Sequence, residues 1–239
     1  VSALSKFAAV SLSCVILHSV ISAQASQTAQ TATMDSEQAL AKMEQAGRNF
    51  PFIQASVLKT MYNSAVGRIK PDPQSGKIWI ATPANAARRI KVDFDKPVRE
   101  LTLVDKGVFL HYYPGQKTGD RKAIQKDDQA EGECVFFGLC QPGPRIRQFY
   151  DIRVVGPETI DGIKTLRLAL KPKDPGHMSG FALIELWLDA TKWYAIQTRT
   201  TESNKNYANY RFSNFQTEKI ADSVFKIDIA KDAEISDHK

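Results

Sequence analysis

Ile184-Glu185-Leu186-Trp187-Leu188-Asp189 is followed by the turn Asp189-Ala190-Thr191-Lys192 and then by Trp193. Six residues of period-two alternation closed by a turn read as a strand. The alternation places Ile184, Leu186 and Leu188 on one face, since successive side chains of a strand point to opposite sides. Just upstream, Lys164 to Lys171 repeats the pattern with Leu166, Leu168 and Leu170 on one face, and Asp161-Gly162 precedes it as a turn. Downstream, Trp193 to Thr201 and Tyr207 to Phe215 continue it around the turn Ser203-Asn204-Lys205-Asn206. Phe149 to Val155 completes a set of five strands joined by short turns, the signature of an antiparallel meander.

The first half of the chain carries the same rhythm. Phe52 to Tyr62, Val66 to Lys70, Lys77 to Ala81, Arg89 to Phe94, Glu100 to Val104 and Val108 to Tyr113 are short alternating runs. Pro71 to Gly76, Asp95-Lys96-Pro97 and Asp105-Lys106-Gly107 punctuate them with turn-forming residues. Ile90, Val92 and Phe94 share a face, and so do Leu101 and Leu103, while Arg89, Lys91 and Asp93 take the opposite one. A sheet this wide has to curl, split or close. Its inner side needs filling by side chains, helices or an apolar ligand. The leucine stripes suit a packed core and a ligand cavity equally well.

Ahead of these strands, Lys6 precedes an apolar stretch from Phe7 to Ile21, and Ala23-Gln24-Ala25 follows with small residues. This arrangement predicts a cleavable signal peptide over residues 1–25, and therefore an exported protein. The small polar residues 26–35 are expected to be a disordered lead-in. Ser36 is expected to cap a helix whose apolar positions Ala39, Leu40 and Met43 recur at helical spacing and which ends near Gly47.

Residues 115–147 interrupt the strand pattern with a charged stretch from Lys117 to Glu133, and short helices or a structured loop are expected there. Cys134 and Cys140 flank Val135-Phe136-Phe137-Gly138-Leu139. In an oxidising compartment this pair is expected to form a small disulfide, closing a loop short enough to stabilise by only about 2 kcal/mol. Two buried free thiols are the alternative. Phe136 and Phe137 are candidates for a lid or a membrane-contacting loop.

The formal net charge is +6, carried by dispersed pairs such as Arg88-Arg89 and Arg121-Lys122 with acids nearby. No basic helix or aromatic-basic module points to nucleic acid. A weakly basic surface suits approach to anionic headgroups. Catalytic signals are few. His111, His177 and His238 lie far apart and not at metal-ligand spacing. In Gly176-His177-Met178-Ser179-Gly180 the serine directly precedes the second glycine, which is wrong for a nucleophile elbow. Asp93 and Asp95 share a strand face and suit an acid/base pair or a metal in principle, but lysines beside them read them as exposed carboxylates. No enzyme, cofactor or metal site is expected.

The ordered set Leu166 to Lys173, Ile184 to Asp189 with Trp193, Tyr210-Arg211-Phe212-Ser213-Asn214-Phe215 and Asp222-Ser223-Val224-Phe225 resembles the outer-membrane lipoprotein carriers, LolA and its LolB-like relatives. Gly67 to Pro71, Ile78 to Pro83, Arg88-Arg89 and Asp105 to Pro114 agree in the first half, so the resemblance spans roughly residues 36–230. It implies an α+β fold over residues 36–239: an incomplete, half-open antiparallel barrel of about ten or eleven strands, with helices covering its concave face. It implies a monomeric periplasmic carrier whose apolar concavity takes the acyl chains of lipoproteins, or another lipid, from an inner-membrane donor complex to an outer-membrane acceptor. The acyl-binding face would be Ile90, Val92, Phe94, Leu101, Leu103, Leu166, Leu168, Leu170, Ile184, Leu186 and Leu188. A non-catalytic envelope sensor or interaction domain on the same scaffold is the other expectation. One departure stands out. An arginine that latches the lid commonly precedes the proline matched by Pro83, and here that position is Thr82.

Overall fold

The computed structural model of the chain describes residues 34–82, 88–124, 138, 143–174 and 181–238, with no side chains described at 143–145. Everything described belongs to one unit, Met34–Lys239.

Helix α1 (Ser36–Asn49) opens this unit. Its N-cap is Asp35 rather than the expected Ser36. The Asp35 carboxylate accepts the Gln38 backbone N–H at 2.8 Å and Gln38 Oε1 accepts the Asp35 N–H at 3.3 Å, a reciprocal capping box. Ala39, Leu40, Met43 and Ala46 form its buried stripe.

Thirteen strands follow in one sheet: β1 (Phe52–Asn63), β2 (Arg68–Ile69), β3 (Gln74–Ala81), β4 (Arg89–Lys96), β5 (Glu100–Asp105), β6 (Val108–Tyr113), β7 (Thr118–Ala123), β8 (Tyr150–Ile160), β9 (Ile163–Pro172), β10 (Phe181–Asp189), β11 (Ala195–Glu202), β12 (Tyr207–Gln216) and β13 (Glu234–His238). A short helix α2 (Gly143–Phe149) precedes β8, and a 3-10 turn spans Asp222–Phe225. The order across the sheet is β13-β7-β6-β5-β4-β3-β1-β12-β11-β10-β9-β8, with β2 pairing β1 off this path, so the sheet is open and does not close on itself. Every pairing is antiparallel except β13 with β7.

The strand count exceeds the expected ten or eleven by β7 and β13. Both are polar and read as loop from sequence: β13 is the edge of the sheet, where polar residues guard against unwanted pairing, and β7 lies between it and β6. Thr118–Ala123 thus continues the sheet into the region where a break in the strand pattern is expected from sequence.

Cross-strand register sorts the side chains onto two faces. Ile53 stands opposite Ile80, Ile80 opposite Ile90, Ala55 opposite Ile78 and Ile78 opposite Val92. On the other wing Leu186 is opposite Leu168, Ile184 opposite Leu170 and Leu188 opposite Leu166. Residues that pair across a ladder share a face. α1 joins this face, because Ala39, Leu40 and Met43 pack with Leu168, Leu170, Ile184, Leu186 and Leu188, and Ala46 with Ile53, Ile78 and Ile80. The opposite face of β3 to β7 is covered by the chain after β12. Ile220 and Phe225 pack on Ala81, and Ile227, Ala233 and Ile235 pack on Leu101, Leu110 and Tyr112. Lys91 Nζ donates to Val224 O at 2.9 Å and the Ala230 N–H donates to Tyr112 Oη at 3.2 Å, fixing that segment in place.

Candidate functional site

The face that carries α1 is the candidate site. Of the residues proposed from the sequence, the structure brings together on it Ile90, Val92 and Phe94 from β4, Leu166, Leu168 and Leu170 from β9, and Ile184, Leu186 and Leu188 from β10. All are buried except Leu166, which is half-buried against the same cluster. Leu101 and Leu103 correct the expectation. They stand opposite Asp93 and Lys91 and so lie on the other face, where the chain after β12 packs over them. Alternation groups the two leucines correctly but does not assign their side, since a register moved by one residue exchanges the two faces.

Phe136, Phe137, Cys134 and Cys140 lie outside the described residues, as does His177. Gly138, from the same segment, is described. It is buried with φ +59°, and a Cβ built there would meet Leu188 Cδ2 at 2.6 Å and Ala195 Cβ at 3.4 Å. Gly138 therefore touches the α1 face at a point where a side chain would be strained by the positive φ and would crowd Leu188.

At the α1 C-terminus sits Arg88, a buried side chain whose Nε donates to Thr82 Oγ1 at 2.8 Å. Its Nη2 is 3.9 Å from where a Cβ on Gly47, in the last turn of α1, would stand. A guanidinium at this end of a helix meets the negative pole of its dipole. Arg89 points the other way, to Asp105 at 2.9 Å and Asp222 at 2.6 Å, with its guanidinium 4.3 Å from the Phe225 ring centroid.

A polar group that alternation alone does not disclose occupies one end of the α1 face. Lys59, Gln74, Glu100, His111 and Tyr210 come from five strands. Gln74 Nε2 donates to Glu100 Oε2 at 2.7 Å, and His111 Nε2 lies 3.0 Å from Glu100 Oε1. An ionised carboxylate only accepts, so His111 carries its proton on Nε2. These bonds, with His111 foremost, hold the Glu100 carboxyl at about 2, well below its ordinary range, although burial opposes them. The Tyr210 phenol is pushed up to about 12, chiefly by burial. One signal of this group is present in the sequence. Ile53, Ala55, Val57, Lys59 and Met61 alternate along β1, which sets a lysine in line with an apolar stripe.

The remaining chemical candidates are occupied. Arg99 holds Asp93 with Nε and Nη2 at 3.3 and 3.0 Å. His238 pairs with Asp120 at 3.0 Å. No group of three or more metal-ligating side chains occurs among the described residues, and none of their helices is long and apolar enough to cross a membrane.

Among solved structures, an uncharacterised conserved protein from Thermus thermophilus superposes with a TM-score of 0.54 at 15% identity, covering 84% of this chain and 98% of that one. This likeness supports the fold. Weaker likenesses include the MucA/MucB complex of Pseudomonas aeruginosa (TM-score 0.48, 14% identity, 80% of this chain and 60% of that one). Another is a putative outer membrane lipoprotein-sorting protein domain from Vibrio parahaemolyticus (0.45, 13% identity, 79% and 95%). No curated protein sequence matches. Residues 62–228, however, match the family described as outer membrane lipoprotein carrier protein LolA, a span running from β1 to just past the 3-10 turn. The chain belongs to the LolA family.

Proposed function

We propose that this protein is a carrier of the bacterial envelope that takes acyl chains of lipoproteins, or another lipid, onto the α1 face of its open sheet and passes them towards the outer membrane. The observation that carries this reading is the way that face is closed. Two apolar clusters, one on β9 and β10 and one on β1, β3 and β4, are both covered by the amphipathic helix α1, which contributes four small or flexible side chains, Ala39, Leu40, Met43 and Ala46, with Ile146 of α2 beside it on the first. Moving α1 uncovers its part of that surface without unpairing a strand. In this reading the α1 face is the concave side of the half-barrel and α1 is its lid.

An acyl chain replacing the helix side chains would bury apolar area at about 25 cal/mol per Å2, enough for useful affinity without any covalent chemistry. Arg88 then acts as the latch that Thr82 cannot supply, holding the last turn of α1 beside Thr82 in the unloaded state. The segment containing Gly138, with Phe136, Phe137 and the Cys134–Cys140 pair, forms the second part of the closure. Export through residues 1–25, a periplasmic location, and transfer between a donor complex and an acceptor complete the proposal.

Native mass spectrometry of the chain incubated with a synthetic triacylated lipopeptide tests it. One lipopeptide per chain, with a raised melting temperature, is the expected result. An unliganded mass at saturating lipopeptide, with unchanged melting, would refute carriage and favour an interaction domain with a permanently filled core.

A further inference from the structure

Lys59 stands alone among the charged side chains of the α1 face. Its Nζ lies 5.5 Å from the Phe94 ring centroid and 5.8 Å from that of Tyr210, over the two rings. The nearby carboxylate does not take it. Each oxygen of Glu100 is already engaged, one by Gln74 and one by His111. Among the described residues no hydrogen bond or ion pair reaches the Lys59 ammonium. Burial pushes its pKa below the ordinary lysine range; Glu100 draws it back up and Lys70 lowers it further. A half-buried cation with aromatic walls, whose nearest carboxylate is held by two other donors, can take a further anionic group.

Its place in the register says what lies beside it. Lys59 is opposite Tyr210, Tyr210 opposite Thr198, Thr198 opposite Leu186 and Leu186 opposite Leu168. One row therefore runs from the ammonium through a phenol and a hydroxyl into the leucines beneath α1. Four inter-strand steps make it about 19 Å long, comparable with an extended long acyl chain.

We propose that Lys59 is the anion-binding residue of a headgroup subsite, taking the phosphate or carboxylate of an anionic lipid whose acyl chain lies along Thr198, Leu186 and Leu168. Phe94 and Tyr210 bracket the headgroup, and Lys70 adds a second positive charge near Lys59. This inference rests on the carriage reading and narrows its ligand to amphiphiles with a negative head.

Calorimetric titration of the full chain with oleate, 1-oleoyl lysophosphatidylglycerol, monoolein and inorganic phosphate tests it. A charge-assisted contact predicts that both anionic lipids bind about tenfold or more tighter than neutral monoolein. Lys59→Met removes that preference, bringing the anionic lipids down towards monoolein, while Lys59→Arg retains it. A stronger response to the phospholipid than to oleate assigns the site to phosphate headgroups, and the reverse assigns it to fatty acids. Monoolein bound as tightly as the anionic lipids by the wild type overturns the subsite and leaves carriage standing. Equal loss of monoolein and oleate binding in Lys59→Met overturns it too, as does inorganic phosphate bound as tightly as the lysophospholipid. Failure of all three lipids to bind overturns both readings.

Discussion

Gly138 and Leu188 approach so closely that a methyl group on the glycine would stand 2.6 Å from Leu188 Cδ2. The contact seats Gly138 on β10, a strand whose inward residues Ile184, Leu186 and Leu188 are fully buried.

Gly138→Ala is therefore expected to destabilise the protein by about 1–3 kcal/mol, from overpacking together with the positive φ that alanine resists. Urea denaturation of the two proteins measures it. A variant with unchanged midpoint and slope would mean that Gly138 is not seated on Leu188 in solution.

How much of this arrangement the sequence could disclose depends on which physical signal each residue carries. Period-two alternation was enough for Leu166, Leu168, Leu170, Ile184, Leu186 and Leu188, because their strands are joined by tight turns that leave the register little freedom. Leu101 and Leu103 show the limit of that signal. Alternation groups residues but does not say which group faces which layer, and the layer covering them comes from Ile220 to Ile235, more than a hundred residues later. β13 is illegible because edge strands are polar, and β7 because Thr118-Gly119-Asp120-Arg121-Lys122-Ala123 carries no apolar alternation. The polar end of the site was half legible: Lys59 breaks an apolar stripe in β1, yet Gln74, Glu100 and His111 meet only through pairing between strands.

Glu100 makes stability depend on acid. Its folded pKa, about 2, lies below the ordinary value of 4.5, so the stabilisation is fully present above the ordinary value and is lost as pH falls towards 2. The groups facing it are His111, Lys59 and Tyr113, with Gln74 as a neutral donor. Glu100→Gln is expected to be less stable than the wild type at pH 7, and the gap should close between about pH 4.5 and 2. Chemical denaturation at several pH values from neutral down to the folded pKa reads this, and a gap independent of pH would remove the carboxylate from the explanation.

On the opposite face of β9 and β10, Arg167 joins two carboxylates. Its Nη1 is 2.9 Å from Glu158 Oε1, its Nη2 and Nε bind Glu185, and its guanidinium lies 4.9 Å from the Trp187 ring centroid, while Trp187 Nε1 donates to Glu158 at 2.7 Å. Glu185 is only 6% exposed. Arg167→Met leaves that carboxylate buried without its partner and is expected to cost about 3–5 kcal/mol. Adding Glu185→Gln should recover much of the loss, and thermal melts of single and double variants decide it. Equal destabilisation in both would place the cost in lost packing on Trp187 instead.

Helix and sheet should respond oppositely to truncation if α1 is a lid. Met43 is fully buried against the face formed by Leu168 and Leu186, and its loss to alanine is expected to cost the unliganded protein about 2–5 kcal/mol. A bound acyl chain has already displaced Met43 in the carriage reading, so the same substitution lowers the cost of opening and tightens lipid binding, up to about tenfold for each 1.4 kcal/mol of opening free energy removed. Leu186→Ala also weakens the unliganded protein, but it deletes a side chain that lines the face in both states, so lipid binding should weaken as well. Denaturation and lipopeptide titration of the two variants separate a lid from a permanent core. If Met43→Ala lowers stability and lipid affinity together, α1 belongs to the structure that holds the lipid and does not give way to it.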